Sequence, residues 1–121
     1  MPIEKEPLQA VSRTTVMTAR LNPLMAADRV EVRRITLQPN TVAGAHVHNG
    51  PVVGNIVDGS VIFQIAGEPA SVLNPGDVFF EPKDARIEHF DAQADGAVFL
   101  AYFVLEPGKH PELAFPDATD A

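Results

Sequence analysis

An all-β fold is predicted by three features of the chain. Eleven prolines and eight glycines cut its 121 residues into short pieces. The apolar residues between them alternate with a period of two, and turn signals recur roughly every eight to twelve residues. No stretch carries the long 3.6-residue apolar period of an amphipathic helix. A chain of this length encloses one core and no second one.

The elements follow in order. Residues 1 to 27 hold no clean period, with Pro2, Pro7 and Pro23 interrupting them, and read as an extended arm with one short strand at Thr14–Thr18. Val30–Leu37 (VEVRRITL) alternates except for a slip at Arg33–Arg34, which a bulge or a sheet edge accommodates. Pro39–Asn40 ends it. Ala43–His48 and Val52–Val57 are further strands, and Asp58–Gly59 suits a tight hairpin turn. Ser60–Ile65 then returns antiparallel, with Val61, Phe63 and Ile65 toward the core. Two more strands, Ala70–Leu73 and Asp77–Glu81, flank the Asn74–Pro75–Gly76 turn. Arg86–Phe90 follows a loop, and Ala97–Leu105 follows an Asp95–Gly96 turn as the most apolar strand. From Glu106 the chain becomes polar and proline-containing, as a surface tail does. The expected organisation is an arm over residues 1–27, a β-barrel or sandwich over 28–107 and a tail over 108–121.

Composition narrows the function. Without cysteine, a metal site must use His, Asp, Glu or Gln. The net charge of −7 and pI near 4.9 argue against a nucleic-acid partner, since phosphate binding needs clustered Lys and Arg. No segment has the apolar length of a membrane span or a signal-peptide core, so a cytoplasmic protein is expected.

His46 and His48 flank Val47. Alternation along a strand puts both imidazoles on one face with Cα atoms roughly 6.5 Å apart, within reach of one metal ion. Imidazole suits first-row metals. Two exposed histidines on a half-polar strand are an equally good reading of the pair alone.

Its surroundings decide between them. The chain resembles the cupin superfamily, whose first motif runs from a glycine through five residues to HxH, then three or four residues to a glutamate and six to a glycine. Asn40, His46, His48 and Gly59 stand at those spacings, with Asn40 in place of the first glycine. The second motif is a glycine, five residues, proline, one residue, glycine, two residues and a histidine, and Gly76 and Pro82 match it. The resemblance covers about Pro39 to Asp91. It implies a jelly-roll barrel, the double-stranded β-helix, here with an extended N-terminal arm.

Two departures bear on the site. The family's glutamate position holds Val52, and its second-motif histidine position holds Ile87, with His89 two residues later. Unbroken alternation keeps His89 on the face of Ile87, so the expected metal ligands are His46, His48 and His89. Glu81, before Pro82, is expected as a partner orienting a histidine, a fourth ligand or a general base. Asp84 and Asp91, at the family's second glycine and late asparagine, read as turn or surface residues, and His110 as a tail residue without a role. The expected cofactor is a divalent transition metal, Fe, Ni, Zn or Mn, and the expected partner a small-molecule ligand.

No serine nucleophile elbow, phosphate loop or paired-carboxylate motif competes. The resemblance therefore implies a metal-binding small cupin, as an enzyme of oxygenase or isomerase type acting on a small organic substrate. A non-catalytic ligand-binding barrel and a degenerate structural barrel are the alternatives. No catalytic residue is assigned. Open strand edges and the long arm suggest a homodimer in which residues before about Leu37 cross the interface.

Overall fold

The computed structural model describes residues 10–118. Seven strands make up its regular structure: β1 (Arg29–Leu37), β2 (Val47–His48), β3 (Val52–Ile65), β4 (Ser71–Leu73), β5 (Val78–Glu81), β6 (Ile87–Leu105) and β7 (Leu113–Ala114). No helix occurs among the described residues, none therefore long and apolar enough to cross a membrane. The short strand expected at Thr14–Thr18 is absent; that segment is irregular and lies largely on the surface.

Two long antiparallel strands, β3 and β6, form the spine. β1 pairs with β6 on its outer side. β4 and β5 pair with successive parts of β3 on the other side. Neither Asp58–Gly59 nor Asp95–Gly96 turns the chain back. The ladder instead continues through both, from Asp58↔Val98 and Gly59↔Ala97 to Val61↔Ala92, with a register shift on the way. Each dipeptide is thus a corner at which two paired strands bend together.

The corner also switches faces. Before it, Val52, Gly54 and Ile56 of β3 are buried, and after it Val61 is, with Phe63 and Ile65 packed on the core. An extra residue moves the inward set from even to odd positions. The expected core face of Val61, Phe63 and Ile65 holds for this reason.

Phe63, Phe79, Phe90 and Phe99 meet at tilted or edge-to-face angles, with centroids 4.8–5.9 Å apart, and fill the middle of the barrel. β1 keeps an unbroken register with β6 through Arg33 and Arg34, so the slip in its pattern is that of an edge strand and not a bulge. Asn40, the stand-in for a motif glycine, has φ +58°, and Asp84, at the other motif glycine, φ +62°. Both are among the residue types that tolerate the left-handed region.

The tail departs most from expectation. Residues 113 and 114 add β7 to β2, pairing Val47 with Ala114 and His48 with Leu113. The side chain of Asn49 clasps the approach to β7, donating to the His110 carbonyl and accepting from the Glu112 amide, at 2.8 and 3.0 Å. Arg86 forms an ion pair with Asp117. What composition marks as a surface tail is a wall of the barrel mouth.

Candidate metal centre

The loop and short strand before Asn49 are held beside the start of β6. His46 and Ile87 exchange both backbone hydrogen bonds, at 3.0 and 2.8 Å, and the Asp84 amide donates to the His48 carbonyl. Alternation across Val47 then turns both imidazoles inward, as expected. Their rings stand perpendicular with centroids 5.1 Å apart.

Opposite them is Glu81, the last residue of β5 and 3 % exposed. Its Oε2 lies 2.5 Å from His48 Nε2 and 3.6 Å from His46 Nε2. One ligand atom from each of the three residues falls within 4.8 Å of the others. Glu81 therefore stands among the imidazoles themselves. The register explains its place, because Glu81 is the direct cross-strand partner of Val52. Side chains of directly opposed residues share a face. The carboxylate that is missing at position 52 comes from the neighbouring strand.

His89 lies elsewhere. A register shift between Gln64↔His89 and Ile65↔Ile87 inserts Glu88 as an extra residue, so that Ile87 and Phe90 face inward and His89 outward. Its side chain is half exposed and its Nδ1 lies 2.8 Å from Asp91 Oδ2. The reach of His89 into the barrel depended on unbroken alternation, and the bulge removes it. Ile87, at the motif-histidine position, is fully buried in the core. Nothing in the local residue pattern marks a bulge at Glu88.

The donors are arranged for a cation. Close as it is to His48, Glu81 Oε2 makes no hydrogen bond. A buried carboxylate oxygen without a donor is costly. His46 Nδ1 lies 3.0 Å from the Gly44 carbonyl, and a carbonyl only accepts, so Nδ1 carries the proton and Nε2 presents its lone pair toward Glu81. A backbone acceptor that fixes the imidazole tautomer is characteristic of metal-ligating histidines. These residues fit a divalent transition metal, which two imidazoles and one carboxylate would hold with fewer ligands than such an ion accepts.

Without metal, charge coupling holds the cluster. Burial alone would lower the pKa of His46, but the Glu81 carboxylate and the Gly44 carbonyl outweigh it and raise the value above 6.5. Burial alone would raise Glu81, but the two imidazoles outweigh it and draw the carboxyl below 4.5. The lowered Glu81 contributes stability that is complete above pH 4.5 and lost as pH falls through its folded pKa. The raised His46 contributes stability that is complete below pH 6.5 and lost as pH rises through its folded pKa. Metal-free protein is therefore expected to be most stable between about pH 4.5 and 6.5. Urea midpoints measured from pH 4 to 9 check this, and a maximum above pH 7.5 would contradict the coupling.

The cluster opens into a cavity of about 250 Å³. Its walls are mainly apolar, from Ile35 and Leu37 of β1 to Phe99 and Phe103 of β6, and the tail closes one side with Leu113 and Phe115. The Phe115 ring centroid is 6.3 Å from that of His46. The phenylalanine cluster leaves this end of the barrel open.

Seven strands among the described residues and the bent β3–β6 pair give the chain the barrel fold of cupin-like proteins. No protein-family model and no curated protein matches its sequence. Among solved structures, it is similar to the DMSP lyase DddQ from Ruegeria pomeroyi DSS-3, at 19 % identity and a TM-score of 0.65 over 77 % of this chain and 47 % of that one. Oxalate oxidase in complex with the substrate analogue glycolate gives 19 % identity and a TM-score of 0.61, over 72 % and 46 %. A cupin-like protein from Thermotoga maritima gives 22 % and 0.61, over 71 % and 65 %. The chain spans less than half the length of the lyase and oxidase chains it matches.

Proposed function

We propose that this chain is a metal-dependent cupin in which His46, His48 and Glu81 hold one divalent transition metal, Fe, Ni, Zn or Mn, at the floor of the cavity. The observation that carries the reading is Glu81 Oε2, buried, without a hydrogen bond, and facing two imidazole nitrogens. When bound, such a metal supplies Lewis acidity or, if redox-active, a site for dioxygen, which is the chemistry of isomerases and oxygenases. The residues of the chain do the rest. Glu81 balances positive charge, Gly44 fixes the His46 tautomer, and the apolar walls keep water from a small organic substrate. That a lyase and an oxidase share the fold supports catalysis over a purely structural barrel. A homodimer belongs to the same reading, because β1 is a sheet edge on which Val30 and Val32 are half exposed.

Titration of metal-free full-length protein with Zn²⁺, Mn²⁺, Ni²⁺ and Fe²⁺ tests the proposal. One equivalent of at least one ion is expected to bind, to be lost in the double variant His46→Ala, His48→Ala, and to remain in His89→Ala. A double variant with full stoichiometry, or a wild type that binds none of the four, overturns it.

A further inference from the structure

Because β1 keeps its register through Arg33–Arg34, Arg33 falls on the same face as Ile35 and Leu37, both of which line the cavity. That face carries Arg29 and Glu31 at one end and Ile35 and Leu37 at the other, so Arg33 stands where its charged part meets its apolar part. Among the described residues, Arg33 is the one Lys or Arg side chain lining the cavity. Its guanidinium carbon sits 5.3 Å from the centroid of the Phe103 ring. The same ring lies 6.1 Å, centroid to centroid, from the imidazole of His48. Phe103 thus stands between a half-exposed guanidinium and the histidine cluster.

The guanidinium is held but not used up. Its Nε and Nη2 both reach Glu31 Oε2 at 2.6 Å, so a single carboxylate oxygen occupies one edge of the fork. The edge formed by Nη1 and the second hydrogen of Nη2 is left for another acceptor. Glu31 is also on the inward side of β1, two residues away, and with the Phe103 face it fixes the plane of the group. A planar, oriented fork with a free edge matches a carboxylate in bidentate geometry.

We infer that the cavity takes small organic acids, with the substrate carboxylate on the free edge of Arg33 and the apolar body along Phe103 toward His48 and Glu81. The inference rests on the metal-centre reading only for what happens at the far end; the carboxylate contact belongs to the metal-free protein as well. The cavity volume of about 250 Å³, below the usual range for drug-sized ligands of about 300–1,000 Å³, suits an acid smaller than a drug-sized molecule. Glu81 disfavours a carboxylate at the floor while no metal is present, which sets the orientation.

The test compares 3-methylbutanoate with its neutral isostere, 3-methylbutanamide, by NMR titration of metal-free full-length protein. The acid is expected to shift resonances of Ile35 and Phe103 and to bind about tenfold more tightly than the amide. Arg33→Met, which keeps the stem and loses the fork, is expected to erase that preference. Arg33→Lys should retain part of it, as a point charge without the fork. Raising NaCl from 0.05 to 0.5 M should weaken the acid and leave the amide unchanged, a readout that needs no variant to fold. Equal binding of acid and amide, no binding of the acid, or a preference that survives in Arg33→Met overturns the inference. Zn²⁺ stoichiometry measured on the same samples is independent of all of these. Loss of metal binding with the acid preference intact sinks the metal reading alone, and the converse sinks the carboxylate reading alone.

Discussion

Glu81→Val is expected to abolish stoichiometric metal binding and, in the same protein, to destabilise the metal-free fold near pH 6 by about 1–3 kcal/mol. The two effects share a cause. Glu81 is 3 % exposed, its Oε2 makes no hydrogen bond, and two imidazoles must stay near it to offset its charge. The carboxylate and the imidazoles together outweigh the cost of their burial, so removing one partner while the others stay buried costs the metal-free protein stability. Removing the carboxylate of the cluster leaves two imidazoles as ligands, and affinity should drop by at least about a hundredfold, beyond the loss typical of a supporting contact. A metal titration and a urea melt of one variant measure both. Placing Val52→Glu in that background returns a carboxylate from the directly paired position and should recover part of the binding. A Glu81→Val protein that loads metal normally would show that the carboxylate is a bystander.

Gly59→Ala is expected to cost about 4 kcal/mol or more, enough to leave little soluble folded protein. Gly59 has φ +75°, and a Cβ built on it would lie 2.0 Å from the Gly96 carbonyl oxygen. That neighbour is backbone of the partner strand, itself at a corner residue with φ +69°, and cannot move without breaking the β3–β6 ladder. Gly67→Ala is the control. Gly67 has φ +83° but nothing within 4 Å of its would-be Cβ, so only the conformational cost of about 1–2 kcal/mol remains. Comparable urea midpoints for the two variants would mean that the corner is not closely packed.

The same glycines show how far the sequence could be read. Strand-length pieces, the HxH pair, the left-handed Asn40 and the motif spacing around Gly59 were legible because each depends on local chemistry. Whether Asp58–Gly59 turns the chain or merely bends it was not, since a positive φ serves a hairpin and a corner equally well, and the choice is made by Gly96, 37 positions away. His89 was misplaced for a related reason. A parity argument holds only while the strand has no bulge, and Glu88 is one. Glu81 was legible as a pocket candidate, a fourth ligand among other roles, but not as the carboxylate that takes the place of position 52, because its register against Val52 is a tertiary fact. The tail was read from its composition as solvated. Its ladder with β2 rests on two residue pairs and carries no periodic signature.

That arrangement of the tail separates two tasks within one barrel. Folding rests on β3, β6 and their glycine corner, all before residue 106. One side of the ligand chamber is furnished by a segment after residue 110 that leans on Asn49, Arg86 and a two-pair ladder. Substitutions at Leu113 or Phe115 can reshape that chamber while the framework keeps its stability, so selectivity can drift in evolution without a folding penalty. A side wall built from residues 111–115, outside the β3–β6 framework, makes this barrel a scaffold whose preference for one guest over another is editable without touching that ladder.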